Sequence, residues 1–181
     1  LGDQHHAVAE AAPTPLDRLL LGADPLVVVL EGVEKPGNLG AMVRTAAAAG
    51  CVAVLAVGPV VDAFSPQAIR NSTGAVFALP TVAVADDAAA IGWLRERGVT
   101  IAAALADGGA DCYTARWGGA GASVAVVVGP EHAGLGEAWR EAADVKLTIP
   151  MAAAGGAIDS LNAANAAAVL LFEAVRRRGV N

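Results

Sequence analysis

Ile149 to Arg178 reads IPMAAAGGAIDSLNAANAAAVLLFEAVRRR. The segment opens on the hydrophobic end of a strand that stops at Pro150 and crosses a loop of Ala and Gly. From Ser160-Leu161-Asn162 it runs into a long helix. Ser and Asn suit a helix start because their side chains accept hydrogen bonds from the unpaired N–H groups of a first turn. Arg176, Arg177 and Arg178 suit the negative end of the helix dipole. Between these ends, Ala166, Ala167, Leu170, Leu171, Ala174 and Val175 recur at three- and four-residue spacing and make one apolar face. A loop of tiny residues facing the start of a buried helix lets the backbone approach a small ligand and offer its own N–H and C=O groups. Taken alone, the same residues also describe a strand, a loop and a surface helix with nothing bound.

The rest of the chain alternates in the same way. Leu26 to Leu30 is an apolar, mostly β-branched run ended by Glu31-Gly32, the pattern of a buried strand. Pro36-Gly37 marks a turn, Asn38 can cap the next helix, and Gly50 can end it after Ala49. Cys51 to Val57 reads as a second strand, so the first three elements form a βαβ unit with a parallel pair. Pro66 to Arg70 predicts a short helix and Asn71 to Ala75 a polar turn, with Val76 to Val84 strand-like but interrupted at Pro80. Asp86-Asp87 open a helix through Arg97 that Gly98 closes. Strands are expected at Thr100–Leu105, Ser123–Val128 and Val145–Ile149, and a short helix at Glu137–Ala143. Ala106 to Gly121 holds five glycines and is expected to be a surface excursion containing Trp117. This alternation predicts an α/β fold built on a mainly parallel sheet with helices on both faces. Residues 1–23 read as a linker or flexible tail with one short helical turn at Leu16 to Leu21, and residues 24–181 as one domain.

Composition narrows the function. At 181 residues the chain can bury a proper core. Its 55% hydrophobic content is mostly Ala and Val, and no apolar run approaches the roughly 20 residues needed to cross a bilayer. Leu1 to Pro15 is polar and acidic and lacks the pattern of a secretory signal. Two cysteines, Cys51 and Cys112, are too few for a disulfide framework or a zinc site and read as reduced thiols of a cytoplasmic protein. No metal-ligand cluster is present, so no metal is expected; His5-His6 read as a terminal pair. The net charge of −6 argues against strong sequence-independent RNA affinity, which comes from Lys and Arg neutralising phosphates. The chain opens on Leu1 rather than methionine, as expected of a fragment or a processed chain. No GxGxxG follows Leu26–Leu30 and no P-loop pattern occurs, which removes the common dinucleotide and nucleoside-triphosphate signatures.

Three stretches, each at a strand end, carry a more specific signal. Asn38-Leu39-Gly40 runs into Arg44-Thr45-Ala46; Gly129-Pro130-Glu131 is followed by Gly134-Leu135; Ile149-Pro150-Met151 is followed by Ser160-Leu161-Asn162. In this order they resemble NxGxxxRTA, GxEx(x)GL and IPM…SLN, the motifs of the SpoU/TrmH family of SPOUT-class RNA ribose 2′-O-methyltransferases. The likeness covers most of Pro25 to Arg178, and Ser72 to Ala75 match a further Ser-x-Gly-Ala segment. It implies a SPOUT-type fold with a deep C-terminal trefoil knot, in which Ala152 to Ala157 pack in a crowded crossing. It also implies an RNA substrate, ribosomal more than transfer, and a homodimer with the active site near the subunit boundary. The apolar faces of the first and last helices exceed what one small sheet needs, which fits that state. Residues 1–23 resemble a linker following an RNA-binding domain.

The resemblance further implies site residues. S-adenosylmethionine is expected against backbone of Leu105, Ala106, Gly129, Ile149, Met151 and Leu161, with Ile149 and Leu161 sandwiching the adenine. Ser160 and Asn162 are expected at the methionine end or the target ribose. Arg44 is expected to stabilise the developing 2′-alkoxide, since a guanidinium stays protonated; an Arg there can equally bind a phosphate or a carboxylate. Asn38 can hold its loop, hydrogen-bond the ribose or cap its helix. Glu131 can anchor Arg44, orient the nucleotide or sit as an exposed turn carboxylate. His132 is read as a loop residue that the pattern does not require. Eight residues separate Met151 from Ser160, more than the family's usual spacing, which bears on the methionine-end contacts. A catalytically silent SPOUT-like RNA- or cofactor-binding domain and an unrelated nucleotide-binding α/β domain are the competing readings.

Overall fold

The computed structural model describes residues 14–59, 62–130, 133–152 and 160–179. Seven strands occur in chain order: β1 (Leu26–Glu31), β2 (Ala53–Val57), β3 (Thr81–Val84), β4 (Thr100–Ala104), β5 (Ala110–Asp111), β6 (Val124–Val128) and β7 (Val145–Thr148). They form one sheet in the order β3-β2-β1-β6-β4-β7-β5, and every pairing is parallel. Five helices join them: α1 (Pro36–Ala48), α2 (Pro66–Ser72), α3 (Asp87–Glu96), α4 (Glu137–Ala142) and α5 (Ala163–Arg177). The strand alternation splits the interior in two. Leu26, Val28 and Leu30 of β1 pack with Leu39 and Met42 of α1 and Leu170 and Leu171 of α5. Val27 and Val29 face the other way, toward Trp93 and Leu94 of α3 and Trp139 of α4. Both faces of the sheet are therefore covered, which is why its central strands are apolar at successive positions instead of alternating.

Local chemistry shifts several boundaries. The α1 cap is Lys35, not Asn38, and it makes no side-chain cap bond; Pro36 takes the first helical position, where its missing N–H leaves nothing unsatisfied. Asn38 is therefore inside the first turn. Helix α2 runs through Ser72, and the expected polar turn shrinks to Thr73 and Gly74, both left-handed at φ 49° and 83°. Ala75–Phe77 then form a 3-10 turn, so the strand expected from Val76 is only Thr81–Val84. The second strand likewise begins at Ala53. The glycine-rich excursion contributes β5 at the sheet edge, and Trp117 is not on the surface: it is 7% exposed. Its Nε1 donates to the Cys112 carbonyl at 2.8 Å, and the Arg177 guanidinium lies 5.4 Å from its ring centroid. Leu16–Arg18 form one 3-10 turn, and Leu19 is buried in the α3–α4 core. Both cysteines are buried and free; burial pushes the Cys51 thiol up to about 12, against the opposing charge of Arg178. His5, His6 and, from Ala153 onward, the crossing expected of the knot lie outside the described residues.

Helix α5 begins where its sequence signals it. The Asn162 side chain accepts from the Ala164 N–H at 2.8 Å, and Ala167, Leu170, Leu171 and Ala174 are fully buried. The arginines at its other end do more than complement a dipole. Arg177 donates to the carbonyls of Cys112 and Ala115, and Arg178 to those of Asp24, Pro25 and Ala122. Glu173, almost fully buried, accepts from Arg176 and Arg177 at 2.6 to 2.8 Å. The Arg176 hydrogen bonds, with further help from Arg177, hold its carboxyl below the usual range even though burial opposes them.

Two outcomes test this packing. A Cβ on Gly40 would lie 2.6 Å from the Ala68 carbonyl oxygen and 2.8 Å from the Asn71 Cβ. Gly40→Ala therefore forces α1 from α2 and should lower stability by about 1–3 kcal/mol, read as a fall in urea midpoint at unchanged slope. Glu173→Gln should cost about 1–3 kcal/mol near neutral pH. Because the folded carboxyl titrates below its ordinary 4.5, its contribution is complete above that pH and is lost as pH falls through the folded value. The gap to wild type should accordingly close in acid, as followed by thermal unfolding across pH.

Candidate active site

In a parallel sheet, the loops leaving the carboxyl ends of neighbouring strands open onto common ground. A crevice forms where the chain order reverses. Here the reversal lies between β1 and β6, since β2 and β3 extend one way from β1 while β4 and β7 lie beyond β6. Two adjoining cavities occupy that end of the sheet. The smaller, of about 100 Å³, is framed by the loops after β4, β6 and β7 and by the front of α5. Leu105, Ala106, Gly129, Ile149, Met151, Ser160 and Leu161 all line it, together with Ala163, Ala166 and Leu170 of α5. The larger, of about 400 Å³, lies over the β1–α1 loop, from Gly32 to Lys35, and is closed by Asn38 and Met42 of α1 and by Ala133. Pro130 and Ala163 belong to both walls, so the two are lobes of one cleft.

Backbone packing shapes the smaller lobe. A Cβ on Gly129 would lie 2.8 Å from the carbonyl carbon of Gly134 and the nitrogen of Leu135, so only glycine lets the strand end press against the following turn. Gly134 donates its N–H to the Pro130 carbonyl at 3.0 Å, with φ +67°. The Leu105 N–H is committed to the Leu147 carbonyl at 2.8 Å, which leaves its carbonyl as the group to offer a ligand. Leu105, Ile149 and Leu161 are half-buried, whereas Met151 and Ser160 are exposed. The chemistry of this lining, aliphatic side chains beside closely approachable backbone, suits a planar base joined to a polar tail. Among the described residues, no group of three or more His, Cys, Asp or Glu is placed to hold a metal ion. No described helix is long and apolar enough to cross a membrane.

The residues expected to carry chemistry are not all gathered in this way. Asn38 faces the larger lobe. Asn162 is absent from both described linings and spends its side-chain oxygen on the α5 cap. Arg44 is exposed and lines neither lobe; two residues beyond Met42, it points about 200° around α1 from the cleft. Glu131 and His132 lie outside the described residues. The sequence reading missed Met42, Pro130 and Ala163 as wall residues. The available signal was Ala163, Ala166 and Leu170, whose helical spacing puts small side chains on the same face at the front of α5. It also missed Glu31, which follows Val29 on the α3–α4 face of β1. The Glu31 carboxylate accepts the Gly136 N–H at 3.0 and 3.3 Å. Burial pushes this carboxyl up, with the Gly136 hydrogen bond opposing and the nearby Asp87 charge adding to the rise.

Comparison with known proteins bears on this arrangement. The family model described as the SpoU rRNA Methylase family matches residues 25–172. The chain is 37% identical over 175 residues to a 23S rRNA (uridine(2479)-2'-O)-methyltransferase of Streptomyces viridochromogenes, covering 95% of this chain and 60% of that protein. It is 36% identical to the 23S rRNA (guanosine-2'-O-)-methyltransferase RlmB of Ralstonia nicotianae, covering 98% of this chain and 72% of the relative. The crystal structure of the SpoU methyltransferase AviRb from Streptomyces viridochromogenes in complex with AdoMet superposes with a TM-score of 0.85 at 33% identity, covering 95% of this chain and 68% of that one. The chain thus spans between three fifths and three quarters of the length of these proteins. With the sheet order, the glycine-tight turn after β6 and the family match in agreement, the chain belongs to the SpoU rRNA methylase family.

Proposed function

We propose that the chain is the catalytic domain of an S-adenosylmethionine-dependent RNA ribose 2′-O-methyltransferase, with ribosomal RNA the substrate ahead of transfer RNA. The observation that carries this reading is the gathering of Leu105, Ala106, Gly129, Ile149, Met151, Ser160 and Leu161 around one lobe at the strand ends. The names of the relatives and the cofactor-bound AviRb structure support the chemistry. When bound, S-adenosylmethionine supplies an activated methyl group on a sulfonium.

The protein's part is to bind, orient and stabilise charge. Ile149 and Leu161 hold the adenine between apolar side chains, and Gly129 brings backbone to it. Ser160 meets the methionine end, and Asn162, as the α5 cap, fixes where Ser160 sits. The larger lobe, with Asn38, Glu34 and Lys35 on otherwise apolar walls, receives the target nucleotide, and Asn38 orients its ribose. Holding the 2′-oxygen in line with the methyl supplies much of the rate in such a reaction. Arg44 stabilises the negative charge that develops on that oxygen, with Glu131 anchoring Arg44 or orienting the nucleotide. Since α1 turns Arg44 away from its own cleft, the reading includes a homodimer whose boundary brings Arg44 to the cleft. Exposed Phe172 on α5, which packs beside α1, supports such a boundary. The C-terminal trefoil knot and a cytoplasmic location belong to the same proposal.

Calorimetry with S-adenosylmethionine tests the cofactor site; absence of binding at millimolar ligand would reject it. Gly129→Ala should weaken that binding about tenfold or more, because the added Cβ displaces the turn after β6. Arg44→Ala should lower kcat for transfer of labelled methyl to ribosomal RNA by about 10²–10³-fold, the scale of losing a charge-stabilising donor, at unchanged cofactor affinity. Unimpaired transfer by that variant would remove Arg44 from the mechanism.

A further inference from the structure

Gly129–Pro130 at the end of β6 and Ala133–Gly136 before α4 are fastened at several points. The Gly134 N–H meets the Pro130 carbonyl, and Arg140 Nε of α4 donates to the Leu135 carbonyl at 2.9 Å. From outside, the last residue of β1 holds the second of these segments. Left-handed Gly32, which follows β1, has room beside the Pro130 ring, since an added Cβ would meet it at 3.7 Å. Glu31 grips the far end by accepting the Gly136 N–H with both carboxylate oxygens within 3.3 Å. The approach is close enough that a Cβ on Gly136 would sit 2.8 Å from Glu31 Oε1. The neighbouring Asp87 is occupied separately, accepting from Trp139 Nε1 at 2.8 Å. Among the described residues, the Glu31 carboxylate makes no ion pair and accepts hydrogen bonds from Gly136 alone. Glu31 lines neither lobe, yet the segment it holds supplies Ala133 to the larger lobe and Gly134 to the smaller, and Gly134 bonds Pro130, which lines both.

We infer that Glu31 is a positioning residue: by holding the Gly136 N–H from behind the sheet it fixes Gly134–Gly136 against the end of β6 and so sets the cleft's affinity for S-adenosylmethionine without touching it. The inference rests on the cofactor reading above. It accounts for a half-buried carboxylate at the end of an otherwise apolar strand, a position where burial alone disfavours the charge.

The test compares the full chain with Glu31→Ala and Glu31→Gln by calorimetry with S-adenosylmethionine, methyl-transfer kinetics on ribosomal RNA and amide hydrogen exchange. In Glu31→Ala the cofactor Kd and KM should rise about tenfold, the scale of one lost hydrogen bond to a charged acceptor, while kcat changes little. Exchange at Gly134 to Gly136 should quicken by a similar factor, with the rest of the sheet unaltered. Glu31→Gln keeps an acceptor oxygen at the same reach and should restore both readouts. Unchanged affinity in Glu31→Ala, unchanged exchange, or a Gln variant as impaired as Ala would each overturn the inference. So would a fall in kcat alone. If Glu31→Ala does not fold, Glu31→Thr takes its place, because a β-branched residue suits the strand and is too short to reach Gly136. Wild-type protein that takes up no cofactor would instead sink the cofactor reading, and the exchange measurement would then decide by itself whether Glu31 holds the turn.

Discussion

The parallel pairing of β1 with β6, from Leu26 opposite Val124 to Leu30 opposite Val128, is the constraint on which the cleft depends. These strands are far apart in sequence, and the chain leaves β1 toward β2 but lies on the opposite side of β6 in β4 and β7. Their outgoing loops therefore diverge: the larger lobe opens between them, and the smaller lies beyond β6, among the ends of β4, β6 and β7 and the front of α5. The fully buried register leaves no freedom to slip, since a shift of one residue would turn Val27 and Val29 into the wrong core. Two close contacts hang from those strand ends: Glu31 on Gly136, and Gly129 against Gly134 and Leu135.

Helix α5 supplies the remaining wall, and its position is held at both ends by different means. Its apolar face is pressed into the same core as α1, an attraction without much directional preference. Arg177 and Arg178 add the direction by reaching carbonyls in two separate segments, the β5–β6 connection and the chain just before β1. Hydrogen bonds from ionised donors are stronger and shorter than neutral ones, so the clamp fixes where the helix lies along its axis. That in turn sets where Ala163 and Ser160 stand beside the β6 and β7 loops. An arrangement that looks structural at the C-terminal end of the helix thus positions the candidate site at its front.

Much of this was legible beforehand because it is written in short-range chemistry. The apolar β-branched runs at Leu26–Leu30 and Val124–Val128, the Asn162 cap and the left-handed glycines at Gly50 and Gly98 are each read from a few neighbouring residues. The lining of the smaller lobe was legible for the same reason: each of its residues stands at a strand end or a helix start. The errors arose where a residue had more than one local option. Asn38 is a good cap, but Pro36 starts the helix earlier at no cost in hydrogen bonds. Trp117 sits among glycines that suggest a surface loop, yet Arg177, sixty residues away in the chain, covers it.

What the sequence by itself determined was the alternation of strands and helices, the parallel α/β class and the residues placed at the ends of β4, β6, β7 and the front of α5. Periodicity and capping are properties of adjacent residues and need no knowledge of distant ones. Only the tertiary structure decided the sheet order, the division of the cleft by Pro130 and Ala163, the turning of Arg44 away from it, and the hold of Glu31 on Gly136 across 105 residues of chain. Those depend on which strands become neighbours and at what register, a choice made by burial of both sheet faces at once and invisible in any single stretch.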